Sequence, residues 1–356
     1  MLRYLEIKLA LMAMIEEMKP GERLPARTVL AKRLDTTRTT VDKAIIELQN
    51  EKILYSEKGS GTYVAGMLPD VVPQVENWGV MVPCLSESIY VEFIRGIEKF
   101  TDKNGINLVV CSSNHSAYIQ EYNVNQLMAS IVKGFIIVPT ICDSIEDTWR
   151  TYHSLIKSDI PFVFCNRQIE GIPVPTVASN DFYGGYIATK HLINNGYRNI
   201  AYLSRKKRST SLNRFQGYVS ALREHGLNFS SKLVNMNTGG INTYDACLQL
   251  LNCGEKVDAI FCFNDYIAID AYRAIQSVGL RIPEDIGIIG YDAIEEGQDM
   301  SPSLTSVSYR NRDIGEKAAK ILWEQIHKTG ESEEQNFHLF QPDIIVRESC
   351  TGPSRK

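Results

Sequence analysis

Residues 259–292 read AIFCFNDYIAIDAYRAIQSVGLRIPEDIGIIGYD. Two short apolar runs, Ala259–Phe263 and Ile286–Tyr291, flank a helical segment at Ala268–Val278. Runs that are apolar at nearly every position are typical of strands in a parallel sheet covered on both faces, since strands with one wet face alternate apolar and polar residues. The stretch therefore predicts a strand–helix–strand unit of an α/β fold.

The same alternation extends outward from this unit, from Trp78 almost to the C-terminus. It predicts further strands at Gly79–Val82, Leu108–Cys111, Gly134–Val138, Phe162–Cys165 and Ile200–Leu203. It predicts further helices at Val91–Lys103, Ile119–Val132, Gly184–Asn195 and Leu212–His225. About 270 residues with this many units exceed one small sheet, so we expect two doubly wound lobes that face each other across a cleft.

The first 66 residues follow a different pattern. Apolar residues recur at helical spacing in residues 2–18, and Pro20-Gly21 ends that helix. A second helix is predicted from about Arg27 to Leu34, and a third begins near Thr37 and buries Val41, Ala44, Ile45 and Leu48. Two short strands around residues 58–61 form a β-hairpin. Three helices and a hairpin are the outline of a winged helix-turn-helix.

These patterns divide the chain into three segments. We expect the winged helix domain at residues 1–66, a linker with two prolines at 67–77, and the α/β domain at 78–350. Within the α/β domain, lobe 1 is expected at about 78–168 and 310–334, and lobe 2 at about 169–308 and 335–350.

The stretch Pro20–Ala44, together with Glu47-Leu48 and Gly59–Val64, resembles the winged helix domain of the GntR family of bacterial regulators. The resemblance implies that Thr37, Arg38, Thr39 and Thr40 contact operator DNA and that Lys58 and Gly59 form the wing tip. The family often carries Glu-Arg where this chain has Arg27-Thr28, so Arg27 is expected to replace the phosphate-contacting arginine from the neighbouring position.

The physical chemistry of the third helix supports that implication. Its N-terminal backbone N–H groups and hydroxyl side chains favour phosphate, and an exposed arginine there can reach guanine in the major groove. Lys43 lies on the same exposed face. We interpret Asp42 and Glu47 as solvated side chains.

Four segments of the α/β domain resemble the effector domain of LacI-family regulators, which is itself similar to periplasmic sugar-binding proteins. They are Phe263-Asn264-Asp265, Arg281–Asp292, Pro302–Val307 and Pro342–Ser349. The resemblance implies an effector site that includes Asn166, Arg167, Arg214, Asn264, Asp265, Asp292 and Tyr309. Tyr90 is a further candidate, because an aromatic ring can cover the apolar face of a pyranose.

Amide, carboxylate and guanidinium groups of this kind suit the paired hydrogen bonds of a neutral polyol. Asn264 and Asp292 could equally be cap residues that begin helices. Residues 84–90 depart from the family's Asp-x-x-Asn-Pro-Phe, which leaves the identity of the sugar open.

Two other effector classes remain open, a purine or nucleoside and a phosphorylated sugar. The basic run Arg205–Arg208 would complement a phosphate, although a solvated loop explains it equally well. A sugar-modifying enzyme lacks a supporting motif. We expect no cofactor and no metal site, because the six histidines are far apart and the cysteines form no CxxC pair.

The formal net charge of −4 hides an asymmetry. Residues 1–66 carry 11 Lys and Arg against 9 Asp and Glu, a net +2, and the remainder carries 27 against 33, a net −6. The apolar run Leu9–Ile15 is too short for a membrane span and lacks a signal-peptide cleavage site. We therefore expect a cytoplasmic, homodimeric transcriptional regulator, a repressor rather than an activator, that binds operator DNA and a monosaccharide or sugar derivative.

Overall fold

A computed structural model describes residues 3–57, 59–65, 76–130, 132–140, 144–204, 209–236, 240–328 and 337–352. The chain divides into two units, Met1–Val75 and Glu76–Lys356.

The first unit consists of three helices and a two-stranded antiparallel hairpin. Its elements are α1 (Arg3–Glu16), α2 (Arg27–Arg33), α3 (Arg38–Asn50), β1 (Leu54–Glu57) and β2 (Gly61–Val64). The face of α3 predicted to be apolar is fully buried against residues of α1, which include Leu11 and Ile15. The 3.6-residue period of the sequence therefore fixes which side of α3 remains exposed.

The second unit alternates strands and helices. Its first half contains β3 (Glu76–Val82), α4 (Ser88–Asn104), β4 (Ile106–Ser112), α5 (Ala117–Met128), β5 (Val132–Ile137), α6 (Ile145–Ile156), β6 (Phe162–Cys165), β7 (Thr176–Ser179), α7 (Asp181–Asn194) and β8 (Ile200–Leu203). Its second half contains α8 (Ser209–Glu224), β9 (Val234–Asn235), α9 (Thr243–Leu251), β10 (Ala259–Cys262), α10 (Asp265–Ser277), β11 (Gly287–Asp292), β12 (Thr305–Ser308), α11 (Asn311–His327), β13 (Phe337–Phe340) and β14 (Asp343–Ile345).

The strands that the structure describes in this unit form two sheets of six. The order is β13-β7-β6-β5-β3-β4 in lobe 1 and β14-β12-β11-β10-β8-β9 in lobe 2. All neighbours are parallel except β12 and β14. Strands β6, β8 and β10 are buried at every position, as expected for strands covered on both faces.

The expected lobe boundaries are wrong at two places. Strand β7 pairs with β6, so lobe 1 continues to Ser179 rather than ending at 168, and β13 returns to lobe 1 beyond residue 334. Both strands have only four residues and mix polar with apolar side chains, which is why no apolar run marked them. Strand β3 also takes in Glu76 and Asn77, which we expected in the linker.

No helix in the described ranges is long and apolar enough to cross a membrane.

Candidate functional site

A buried arginine forms the centre of the candidate effector site. Arg214 lies on α8 with only 3% of its surface exposed. Its Nε donates a hydrogen bond to Asp181 Oδ1 at 2.7 Å, and its Nη1 donates to the carbonyl oxygen of Phe263 at 2.5 Å. Its Nη2 lies 3.8 Å from Asp292 Oδ1, and its guanidinium carbon lies 3.5 Å from the ring centre of Tyr291. One cation therefore faces two carboxyl groups and an aromatic ring.

Close packing of α7 against α8 places Arg214 beside Asp181. A Cβ atom at Gly185 would lie 2.1 Å from the backbone oxygen of Arg214, and one at Gly217 would lie 2.1 Å from the backbone oxygen of Phe182. The two helix backbones could not approach this closely with larger residues. Asp181 itself is the first residue of α7, directly after the N-cap Asn180.

Burial dominates the electrostatics of this group. It raises the pKa of Asp181 and raises that of Asp292 well above its usual value, in each case against the opposing effect of Arg214. Burial by itself would lower the pKa of Arg214, but attraction to Asp181, Tyr291 and Asp292 raises it. Arg214 therefore remains charged, and the two carboxyl groups share a single buried counter-ion.

A second group of predicted residues lies at the crossing between the lobes. Asn166 directly follows β6 with a φ of 64°, and its Oδ1 is buried without a hydrogen-bond partner among the described residues. The hydroxyl of Tyr309 donates to the backbone oxygen of Asn166 at 3.2 Å, and its ring centre lies 6.0 Å from that of Tyr291. Arg167 is half-buried and donates from Nη1 to the backbone oxygen of Pro139 at 3.0 Å.

Asp265, which we predicted to contact an effector, forms hydrogen bonds within lobe 2. Its carboxylate is fully buried, with Oδ1 accepting from the Ser306 hydroxyl at 2.7 Å and Oδ2 from the backbone N–H of Ile294 at 2.9 Å. The two oxygens therefore connect the start of α10 to β12 and to the loop after β11, all within lobe 2. Asn264 is the N-cap of α10 and accepts from the backbone N–H of Ile267 at 3.0 Å, which was the alternative interpretation of this residue. Tyr90 is buried in the core near the start of α4.

Asp181 and Tyr291 are parts of this site that sequence reasoning missed. Asp181 was missed because no apolar run marks β7, the short strand that precedes it. Like Asn264 and Asp292, it lies at the carboxyl end of a parallel strand, where open α/β sheets place their ligands.

The lobes also contact each other at the start of α4. The backbone N–H of Ser88 in lobe 1 donates to the hydroxyl of Tyr266 in lobe 2 at 3.3 Å, and the Ser88 hydroxyl donates to Glu296 Oε2 at 3.3 Å.

The candidate DNA-binding surface lies at the start of α3. Thr37 is the N-cap: its Oγ1 accepts from the backbone N–H of Thr40 at 3.3 Å and lies 2.8 Å from the hydroxyls of both Thr39 and Thr40. Arg38 is exposed, as are Thr28 and Lys43. Gly59 is exposed at the hairpin tip with a φ of 81°, and Lys58 lies outside the described residues.

Asp42 and Glu47, which we interpreted as solvated side chains, are partly exposed and form ion pairs. Asp42 Oδ1 lies 3.1 Å from Arg27 Nη1, and its Oδ2 lies 3.8 Å from Arg38 Nε. Glu47 Oε2 lies 3.4 Å from Lys8 Nζ. Asp42 therefore holds two basic side chains of the candidate DNA-binding surface close together.

A groove of about 360 Å³ runs beside these residues, between the start of α2 and the hairpin. Its lining includes Arg23, Arg27, Ser56, Gly59 and Thr62. The lining residues carry guanidinium and hydroxyl groups, which are among the groups that contact a phosphate backbone.

Comparison with known proteins identifies both units. Residues 76–338 match the family described as periplasmic binding proteins and sugar binding domain of the LacI family, and residues 3–64 match the bacterial regulatory proteins of the gntR family. The chain is 27% identical over 354 residues to an arabinose metabolism transcriptional repressor from Geobacillus stearothermophilus, covering 98% of this chain and 97% of the relative.

Two further proteins that are similar to this chain are also described as transcriptional regulators. An HTH-type transcriptional repressor PurR from Vibrio campbellii is 31% identical over 317 residues, covering 88% of this chain and 89% of the relative. A structure described as a transcriptional regulator CelR-cellobiose complex is 25% identical with a TM-score of 0.66, covering 88% of this chain and 90% of that one. The chain belongs to the LacI family through its two-lobed domain, carries a GntR-type helix-turn-helix domain before it, and is a DNA-binding transcriptional regulator rather than an enzyme.

Proposed function

We propose that this chain is a cytoplasmic, homodimeric repressor of carbohydrate metabolism genes whose operator affinity changes when a monosaccharide binds between its lobes. The observation that carries the proposal is the buried group of Arg214, Asp181 and Asp292. A fully buried arginine beside two carboxyl groups is unfavourable unless further hydrogen bonds satisfy it, and a ligand rich in hydroxyls supplies them.

The chemistry of this group favours a neutral sugar. Carboxylate oxygens accept hydrogen bonds from hydroxyl groups, and the remaining guanidinium N–H groups donate to hydroxyl oxygens. The unpartnered Oδ1 of Asn166 is a further acceptor at the lobe crossing. The names of two relatives refer to arabinose metabolism and to cellobiose, which supports the same effector class.

The other effector classes have weaker support. A phosphorylated sugar would bring a dianion close to Asp181 and Asp292, and the basic run at 205–208 that would favour it lies outside the described residues. A purine or nucleoside would require free aromatic faces, whereas the Tyr291 ring is already covered by Arg214.

For DNA binding we propose that Arg38 makes the main contact with base edges. The residues that contact phosphate groups would be Arg27, Thr37, Thr39 and Thr40. Two-fold symmetry of a homodimer would present two such surfaces to the half-sites of a near-palindromic operator. Tyr118 and Tyr122, one turn apart on α5, are 76% and 55% exposed and form a candidate contact between subunits.

The effector only has to bind one conformation of the dimer more tightly than the other. A coupling free energy of ~1–3 kcal/mol would change operator affinity by about 5–150-fold.

A thermal-shift screen of the full chain with monosaccharides, their phosphates and nucleosides tests the effector class. A ligand at 100 times its dissociation constant should stabilise the protein by ~2.7 kcal/mol. Asp292→Asn should abolish the shift, whereas Asp285→Asn, at a half-exposed acid of the same lobe paired with Arg281, should preserve it. Stabilisation by nucleosides alone would refute the sugar proposal.

DNA binding is tested separately, by fluorescence anisotropy on sequences selected from a random DNA pool. Arg38→Ala should weaken binding, while Arg33→Ala, an exposed arginine at the end of α2, is the matched control. Equal affinities of the two variants would remove Arg38 from the DNA-binding surface.

A further inference from the structure

Three side chains with different metal-binding atoms meet at one edge of lobe 1. The thiol of Cys84, the carboxylate of Glu87 and the imidazole of His115 have their donor atoms within 4.8 Å of one another. They are the one group of three such side chains within the part of the chain that the structure describes. No motif spacing revealed the group, because His115 is separated from Cys84 by a strand and a helix.

The parallel sheet brings the three residues together. Cys84 follows β3 and His115 follows β4, and these neighbouring strands end at the same edge. The backbone N–H of Ser113 donates to Val82 at 2.9 Å and that of His115 donates to Pro83 at 3.2 Å, so the two loops are joined by backbone hydrogen bonds. His115 Nε2 lies 3.2 Å from Glu87 Oε1.

We propose that Cys84, Glu87 and His115 bind one divalent cation of the zinc class. Sulfur, imidazole nitrogen and carboxylate oxygen are the three kinds of ligand that zinc takes in proteins. Ligand atoms of a tetrahedral zinc lie about 3.5 Å apart, so the side chains need to move together by roughly 1 Å. The Cys84 thiol loses its proton to solvent when its sulfur binds the metal.

The site is open to solvent and has room for a fourth ligand. The His115 side chain is 41% exposed and that of Glu87 is 29% exposed, so an ion can reach both without unfolding. Three protein ligands leave the fourth tetrahedral position for water or for a donor group of another molecule.

The position of the site connects it to contact between the lobes. Glu87 is the N-cap residue of α4, and the next residue, Ser88, contacts Tyr266 and Glu296 of lobe 2. A cation bound by Glu87 would fix the start of α4 and with it this edge of the cleft. Metal binding would therefore affect the conformational equilibrium between open and closed lobes.

Cobalt(II) titration of the reduced, metal-free full chain tests the proposal, because thiolate–cobalt charge transfer is visible in the absorption spectrum. We expect saturation at one equivalent and displacement of the cobalt by zinc. Cys84→Ser should abolish the charge-transfer band, and Glu87→Gln and His115→Asn should each weaken cobalt binding at least about tenfold. Asparagine is chosen because His115 has a φ of 59°, which asparagine adopts readily.

Cys253→Ser is the matched control, since Cys253 is also half-buried but lies in lobe 2 outside this group. It should preserve the full titration. The proposal is wrong if wild-type protein shows no thiolate–cobalt band, if Cys84→Ser retains it, or if Cys253→Ser loses it equally. Urea unfolding curves of each variant, followed by tryptophan fluorescence, establish that loss of the band does not reflect loss of the fold.

Discussion

Replacing Arg214 by methionine tests the electrostatic account of the effector site most directly. Methionine preserves much of the side-chain length and apolar contact but removes the positive charge. The substitution leaves Asp181 and Asp292, which are 5% and 7% exposed, without their shared cation. It also removes the cation that lies over the ring of Tyr291.

The magnitude follows from the distances. At an effective dielectric constant of ~20, unit charges 2.7 Å and 3.8 Å apart attract by about 6 and 4 kcal/mol, and desolvation of the arginine offsets much of this. Removing one partner of a buried ion pair destabilises proteins by ~3–5 kcal/mol. We therefore expect Arg214→Met to lower the free energy of unfolding by ~3–5 kcal/mol at pH 8.

The destabilisation caused by Arg214→Met should be larger at high pH than at low pH. Without the arginine, the carboxyl pKa values in the folded state rise further above the unfolded value, so the folded variant binds more protons than the wild type. Its stability relative to the wild type then falls as pH rises, by about 1.4 kcal/mol per pH unit for each carboxyl that is protonated in the folded variant but ionised in the folded wild type. The destabilisation at pH 5 should accordingly be much smaller than at pH 8.

Urea unfolding followed by tryptophan fluorescence measures this, because all three tryptophans, Trp78, Trp149 and Trp323, belong to the second unit. Arg281→Met is the matched control: Arg281 also pairs with an aspartate, at 2.9 Å, but is 65% exposed, and its loss should leave the midpoint unchanged. A destabilisation by Arg214→Met below about 1 kcal/mol, or one equal at pH 5 and pH 8, would refute the reasoning.

Three further predictions concern other residues. Burial raises the pKa of Asp265 to about 7, so between pH 4 and pH 7 the folded state binds one more proton than the unfolded state. The free energy of unfolding should therefore decline as pH rises through this range, by up to ~4 kcal/mol. Asp265→Asn should flatten that decline in urea unfolding, and an unchanged slope would contradict this prediction. Thr37→Ala removes the N-cap of α3 and should lower the stability of that helix by ~1 kcal/mol. Amide hydrogen exchange across α3 should therefore accelerate about fivefold, and it should accelerate less in the control variant Thr39→Ala. Asp42→Asn frees Arg27 for a phosphate contact. The logarithm of DNA affinity should then fall more steeply with the logarithm of salt concentration, by about one unit of slope, and an unaltered salt dependence would exclude this role.

The sequence predicts best those parts of the fold that depend on local periodicity. The four apolar positions of α3 repeat at 3.6-residue spacing, and all four are buried. Strands such as β8 and β10 are apolar throughout because helices cover both faces of the sheet, so they stand out in the sequence. In both cases the pattern of apolar residues along a short stretch of the chain indicates which positions are buried.

The parts that the sequence does not predict depend on pairs of residues far apart along the chain. Nothing near Asp42 indicates that Arg27 reaches it across the turn between α2 and α3. Similarly, Asp265 and Asp292 lie at the carboxyl ends of the neighbouring apolar strands β10 and β11, yet Asp265 is hydrogen-bonded within lobe 2 and Asp292 lies beside Arg214. Which carboxylate is available to a ligand is decided by the side chains that the sheet brings next to it.

The chain crosses between the two lobes three times: after β7 (the first crossing), after β12 (the second) and after β13 (the third). At the first, the backbone N–H of Asn180 donates to the backbone oxygen of Phe340 in the third at 2.9 Å; at the second, Arg310 Nη1 lies 3.1 Å from Asp343 Oδ2 in the third. The first and second crossings are therefore each bonded to the third. Asp181 directly follows the first crossing, and Tyr309, in the second, contacts Asn166. A ligand that bridges Arg214 and Asp181 in lobe 2 with Asn166 in lobe 1 would therefore act next to the segments that join the lobes, where small shifts at an effector site can bias how two packed units are arranged.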